Sequence, residues 1–453
     1  MTPSSSFSAP RRAIWATLAA FFLALAIQDN GGEYSPIALA WLSLAIVAAL
    51  GAAFAPVGVP DSRRALHATL AACATIFAAL WLRPLGGVPP WIAFLVSLGA
   101  CTLVAAMVAR LSRFPLLRRL FFPLFLGLYA LMGVSTVREA RHFEQTLPRF
   151  QFQVRNDVQI FAQEGARLLS AGQNPYSVRM PNVLGGDLPY YYEGATGKDG
   201  KLPFGYPYLP LSLYFSLPGH WLGDFRFAHV FALAGAAWFL ATARPSLTSQ
   251  LAATLFLLFP PTIFVLLLSW IEPVSLFFLG ATLWCAFRAP RWLFLALGCL
   301  LASKQYTVFL LALLPLLAPE KWRSVLWQSL VVAAALTLPL ALWDWEGFSR
   351  SVLEIQFKQP FRTDSLSYLV TYFEATGRQL SPFWGFAALL AGLAVGLRRA
   401  PRDAMGWCSA GAVAYLGFFA FNKQAFANYY FWPFALLVGA VAIALPANDE
   451  EAL

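Results

Sequence analysis

A few charged side chains sit where a charge is costly, and their types suit proton abstraction and anion binding. Asp157 lies in RNDVQIFAQEGARLLSAGQNPY (155–176), Glu272 interrupts the apolar SWIEPVSLFFL, and Lys304 is the one charge between Trp292 and Pro319. A carboxylate within reach of a hydroxyl can take its proton as that oxygen attacks. A cation held away from water can stabilise the negative charge of a leaving phosphate. FRTDSLSY (361–368) follows Lys358 and carries Arg362, whose planar fork grips phosphate with two parallel hydrogen bonds. Each residue also has a plainer reading. Asp157 suits a helix N-cap, a role compatible with that of a base. Glu272 and Lys304 could snorkel to the interface, although a charge at membrane depth costs about 2.5–3.5 kcal/mol and commonly marks function.

Other chemistries find little footing. The four histidines (His67, His142, His220, His229) are scattered, and no His/carboxylate spacing suggests zinc, so no metal site is expected. There is no GxxxxGK[ST] or GxGxxG loop, which argues against a soluble nucleotide as partner and against a cofactor. Cys73, Cys101, Cys285, Cys299 and Cys408 all fall within apolar runs and read as small buried hydrophobes.

The elements that must hold these groups follow from spacing. Val158, Phe161, Gly165, Leu168 and Leu169 make one stripe of an amphipathic helix lying in the membrane interface, stopped at Gly172 before the turn-forming Asn174-Pro175. Glu346, Arg350, Glu354 and Lys358 recur every four residues, which predicts a second interfacial helix ended by Pro360. Tyr190, Tyr191 and Tyr192 suit an aromatic belt or a surface for stacking on a sugar. FNKQAFANYY (421–430) offers Asn422, Lys423, Gln424, Asn428 and Tyr429, a polar set suited to sugar hydroxyls.

Composition says what surrounds them. Of 453 residues 59% are hydrophobic and 12% charged, and mean hydropathy is +0.62. That much apolar surface does not fit one aqueous core, so a soluble enzyme, a disordered chain and a collagen-like repeat are excluded. The net charge of +10 comes in pairs between apolar runs rather than on one face, which points to membrane anchoring and away from nucleic acid. The chain reads as an all-α polytopic bundle of about 14 crossings: 12–28, 36–56, 65–82, 90–109, 116–137, 226–243, 250–269, 273–287, 292–303, 305–318, 323–342, 381–398, 404–421 and 429–446. Residues 292–318 read as two short helices meeting at Ser303-Lys304-Gln305. Basic clusters from Arg11/Arg12 to Arg398/Arg399/Arg402 fall in alternate loops and outnumber those opposite, Arg83 and Lys423, by about eight to one. Both termini are then cytoplasmic, in an inner or plasma membrane. YPYLPLSLYFSLPGHWL (206–222) carries Pro207, Pro210 and Pro218, and parity makes it a membrane-embedded or interfacial segment rather than a crossing. Two large outer loops result, 138–225 and 343–380, and they are where function is expected.

Taken together, Asp157 on an interfacial helix, GQNPY (172–176), FGYPYLPLSLYFSLP (204–218) and GDFR (223–226) resemble the glycosyltransferase-C superfamily, nearest to bacterial polyprenol-phosphate-mannose-type transferases. The family's Y-P-P-L appears here as Tyr206-Pro207-Tyr208-Leu209, with Tyr in place of the second proline. Lys304 in ASKQY, FRTDSLS and FNKQAFANYY resemble later landmarks, so the likeness spans about residues 116–446. Residues 111–453 would be the catalytic transmembrane core and 1–110 accessory helices without an assigned role. The resemblance implies inverting, metal-independent transfer of a hexose, mannose first, from a polyprenyl-phosphate donor to a lipid or glycan acceptor at the outer face. Asp157 would be the base and Glu272 a helper orienting the acceptor or the base. Lys304, Arg362 and Lys358 would hold the donor phosphate. Asn174, Tyr176, Tyr206, Gln305, Asp364, Lys423, Asn428 and Tyr429 would bind sugar or acceptor. Two rivals stand beside it: a transporter or lipid flippase with an intramembrane Glu272/Lys304 site, and a ligase- or polymerase-like transferase using a diphosphate-linked donor.

Overall fold

The computed structural model describes residues 9–54, 58–80, 115–146, 157–184 and 186–445. The predicted crossing 90–109, with Cys101, Arg83, Arg110 and Arg113, lies outside them. The described chain is all helical, with two isolated bridges and no strand among the described residues.

The first helices are α1 (Ala9–Asp29), α2 (Pro36–Phe54), α3 (Arg63–Leu80) and α4 (Pro115–Thr146). Next come α5 (Asp157–Ser170), α6 (Pro210–Trp221), α7 (Arg226–Ala243), α8 (Leu247–Leu258), α9 (Pro261–Leu267) and α10 (Glu272–Arg288). α11 (Leu293–Ser303), a 3-10 stretch Gln305–Leu313, α12 (Leu314–Leu317) and α13 (Trp322–Trp343) follow. A composite helix is then built from α14 (Trp345–Ser349), a π turn Arg350–Glu354 and α15 (Ile355–Lys358). The chain ends in α16 (Tyr368–Thr376), α17 (Phe383–Arg399), α18 (Ala404–Ala420) and α19 (Ala427–Ala442).

α1, α2, α7 and α13 are each long and apolar enough to cross a membrane, and α8 with α9, bent by 51°, make a fifth candidate. A membrane helical bundle is compatible with this set. The bend was not legible as a break in 250–269, yet Pro260-Pro261 explains it, because proline removes a ladder hydrogen bond and clashes with the preceding turn. α4 runs nine residues past its predicted end at 137, since charged side chains on its extension leave helix formation intact. α16 was not foreseen. Ser367 caps its first amides and Gly377, at φ +69°, ends it in the left-handed region. Arg12, read as a basic anchor, is buried and donates to the carbonyls of Ala52 (2.8 Å) and Ala53 (2.6 Å), so it caps the C-terminal end of α2.

Two cores form. The larger is the apolar bundle, in which α1 packs on α2, α3 and α19, and α3 on α8. The smaller belongs to the two long loops, where Phe161, Tyr176, Tyr191, Phe204 and Tyr206 meet Phe348, Val352 and Ile355. α6 is the platform between the two cores, touching α5, α7, α11 and α13. An ion cluster with Arg226 and Asp224 buried and Glu144 exposed fastens this layer to the bundle. Arg226, at the start of α7, grips Asp224 (2.7–3.2 Å) and Glu144 on the α4 extension (3.0 and 3.1 Å). Glu144 also accepts from Gln159 of α5 (3.0 Å). GDFR thus clamps α4, α7 and the Asp157 helix at one point. Breaking a buried, doubly bonded pair leaves an uncompensated charge, so Arg226→Ala should lower stability by about 3–5 kcal/mol in thermal unfolding of the detergent-solubilised protein. A loss under about 1 kcal/mol, the worth of an exposed pair, would show that the clamp holds nothing.

Candidate active site

Lys304 and Glu272 meet where two helices end. Glu272 is the first residue of α10, at the partly positive end, and Lys304 follows the last residue of α11, at the partly negative end. Each side chain is therefore favoured by its own helix before it meets the other. Both are buried, and Lys304 Nζ is hydrogen-bonded to Glu272 Oε1, which also accepts from Asn428 Nδ2 (3.0 Å). The rings of Tyr208, Tyr306 and Tyr429 surround the ammonium with centroids 5.3, 5.3 and 5.7 Å away, within cation–π range. Ser269, just before α10, has φ +60°, a conformation costing about 1–3 kcal/mol in a residue with a Cβ, and it turns the chain that delivers Glu272. Glu272 Oε2 and the Tyr306 hydroxyl are buried without a hydrogen-bond partner among the described residues.

Asp157 stands close by, at the start of α5. Its Oδ1 accepts from the Val158 amide (2.8 Å) and its Oδ2 from the Tyr191 hydroxyl (2.7 Å). Burial pushes the carboxyl above the usual carboxylate range; the Tyr191 bond, the Val158 amide and the charge of Arg362 pull the other way. Arg362 forks onto both oxygens of Asp364 and packs on the rings of Tyr190 (4.6 Å) and Phe426 (4.8 Å). Tyr208 and Tyr429 are close enough to both Asp157 and Glu272 to feel each charge. The arrangement can hold a neutral polar ring against tyrosines, meet an anion with two cations, and accept a proton at one carboxylate.

The remaining expected residues divide. Lys358 is half exposed, paired with Glu354 (3.3 Å) and near the Tyr192 ring (5.7 Å), at the rim of the cluster. Asn428 and Tyr429 are inside it. Lys423 donates to the carbonyls of Phe357 (2.9 Å) and Gln359 (2.5 Å), tying α15 to the last turn, and desolvation lowers its pKa. Gln305 holds the Pro207 carbonyl (2.9 Å). Asn174 donates to Leu340 O (3.0 Å), Tyr176 to Tyr208 O (2.7 Å), and the Tyr206 hydroxyl meets Ser212 (2.8 Å). These last four have their polar atoms engaged in holding the loop layer together. Tyr191, Tyr208 and Tyr306 carry much of the lining, though Tyr208 and Tyr306 were not singled out. One signal was available: Tyr306 is two residues from Lys304.

Among the described residues no group of three or more His, Cys, Asp or Glu side chains could hold a metal ion. Two surface clefts, about 660 and 390 Å³, flank α5 at Ile160, Glu164 and Arg167, and neither is lined by Asp157, Lys304 or Glu272. Glu164 and Arg167 pair with one another there (2.7 Å). Comparison with protein-family models, curated proteins and solved structures finds no match to this chain.

A raised carboxyl pKa has a consequence independent of any activity. The fold favours neutral Asp157, so its stabilising contribution is present below the ordinary carboxylate pKa and lost as pH rises through the higher folded value. Asp157→Asn, which can still accept from Tyr191, should therefore melt higher than wild type near pH 7, with the gain vanishing near pH 4, close to the ordinary carboxylate pKa. Equal melting temperatures near pH 7 would mean the carboxylate carries no desolvation cost.

Proposed function

We propose that the protein is a membrane glycosyltransferase that moves a hexose, with mannose the first candidate, from a polyprenyl-phosphate carrier to a hydroxyl on a lipid or glycan acceptor. The fourteen-crossing topology, with both termini cytoplasmic and this cluster on the outer face, belongs to the same proposal. One observation carries it: a desolvated carboxylate, Asp157, lies within electrostatic reach of Arg362 and of Tyr208, a ring that packs over Lys304. The order of motifs resembling the glycosyltransferase-C superfamily, described above, supports the same reading.

The chemistry uses each group once. The acceptor hydroxyl gives its proton to Asp157 while its oxygen forms a bond to the anomeric carbon. The bond from that carbon to the donor phosphate breaks, and the lipid phosphate leaves with the electron pair. Displacement from the opposite side inverts the anomeric configuration. Arg362 and Lys304 stabilise the charge developing on the phosphate, with Lys358 at the rim for the approaching headgroup. Glu272 holds Lys304 in place, and Tyr208 and Tyr429 supply faces for the sugar ring.

A second reading rests on the buried Glu272–Lys304 pair at a junction of broken helices, the kind of site that transporters and lipid flippases use. The assay that separates them is transfer of radiolabelled mannose from polyprenyl-phosphate-mannose in membranes expressing the protein. Wild type should transfer, and Asp157→Asn and Asp157→Ala should each lose about 10²–10⁴-fold at equal protein level. Transfer by wild type should rise with pH through an ionisation above the usual carboxylate range, the direction burial imposes on Asp157. Arg362→Gln should cost about 10²–10³-fold in kcat through lost phosphate stabilisation. Normal transfer by Asp157→Asn would remove it as the base. No transfer from mannose, other hexoses or diphosphate-linked donors, together with lipid flipping that Glu272→Gln abolishes, would favour the second reading.

A further inference from the structure

The loop between α1 and α2 touches both halves of the cluster. Tyr34 donates its amide to the Asp364 carbonyl (2.8 Å), and Glu33 bridges Ser365 in antiparallel fashion. Thr371 bonds the Tyr34 hydroxyl (3.3 Å), and two turns into α2 Ser43 meets the Tyr368 hydroxyl (2.7 Å). These contacts run along the segment that carries Arg362 and Asp364. On its other side the same loop presses on the start of α19. Gly32, buried at φ +88°, sits so close to Ala427 that a Cβ there would lie 2.5 Å from the Ala427 amide nitrogen. Ala427 is followed directly by Asn428 and Tyr429, which hold Glu272 and line the Lys304 cage. Glu33 also lies within the field of Asp364 and Arg362: desolvation and Asp364 raise its pKa and Arg362 lowers it.

We infer that this N-terminal turn, residues 30–35, is a positioning element of the site, fixing Arg362 against Asp157 on one side and the Asn428/Tyr429 turn against Lys304 on the other. The first two helices then belong to the working site rather than to an accessory domain. Gly32 is the pivot. Only a residue without a Cβ both adopts φ +88° freely and fits against Ala427. Glu33 and Tyr34 act through the Arg362 segment and are positioning residues, since nothing places them against reacting atoms. Only the kinetic part of the inference rests on the transferase reading; the mechanical part does not.

Two variants of the full-length protein test it, Gly32→Ala and Ser35→Ala. The first forces Ala427 to move. The second removes the hydroxyl that caps α2 at Ala38 (2.9 Å) and leaves the Gly32 contact untouched, so it keeps the test open should the first fold poorly. Hydrogen exchange at the amides of Arg362 and Leu366, which bond Lys423 O (3.1 Å) and Ala425 O (2.9 Å), should quicken by roughly tenfold or more, while amides within α18 keep wild-type rates. With polyprenyl-phosphate-mannose as donor, kcat should fall about tenfold, because a displaced Arg362 stabilises the leaving phosphate less well. Wild-type exchange at Arg362 and Leu366 in both variants overturns the inference. So does a wild-type kcat in both variants. If the wild type transfers from no donor, the transferase reading falls and the exchange rates alone decide the positioning role.

Discussion

The contact between Lys304 and Glu272 constrains nearly everything around it. Neither charge can be buried alone, and the two come from different helices, so α10 must begin where α11 ends. Lys304 leaves the helix with extended backbone, after which the chain resumes as a 3-10 stretch. Ser269 takes a strained turn so that Glu272 arrives at a helix start. The three tyrosines close over the ammonium because an aromatic face is one of the few neighbours that remove water from a cation without adding a second carboxylate. Asn428 completes the shell on the lone oxygen the pair shares, which draws in the last helix.

The two cations are therefore held in different states. Lys304 is enclosed and matched by an acid of its own. Arg362 is more open, with its Nε and one Nη on Asp364 and two aromatic rings packed against it. An arriving anion must compete with carboxylates already in place, which favours ligands of high charge density over weak ones. Asp157 stands apart from both acids, steadied by a phenol and one amide instead of a cation in contact.

How far the sequence alone reaches depends on the signal. The amphipathic helix at Asp157–Ser170, the break at Lys304 and the helix after Trp343 were legible, because amphipathic stripes, a lone charge in an apolar run and Glu/Lys pairs every four residues are local patterns. The position of Asp157 beside Arg362 was not, since nothing local relates the two long loops. Their shared core of Phe161, Tyr176, Tyr206 and Phe348 decides that, and any apolar residues of similar size would read alike in the sequence. The same holds for Asn174 and Tyr176. Their types suit a sugar, but their polar atoms are satisfied by carbonyls at distant positions, a fact set by tertiary contact alone. Pro260-Pro261 was legible in principle and was outweighed by the uniform apolarity around it.

The seat of Gly32 on Ala427 joins the beginning of the chain to its end. During translation α1 and α2 are made well before α19, a helix that packs on α1 in the finished fold. A ribosome that stops before Ala427 therefore leaves α1 without that neighbour and Glu272 without Asn428. The face of α1 from Ala13 to Ile27 is then covered less completely than in the finished fold, and the acid of the buried pair lacks one of its donors.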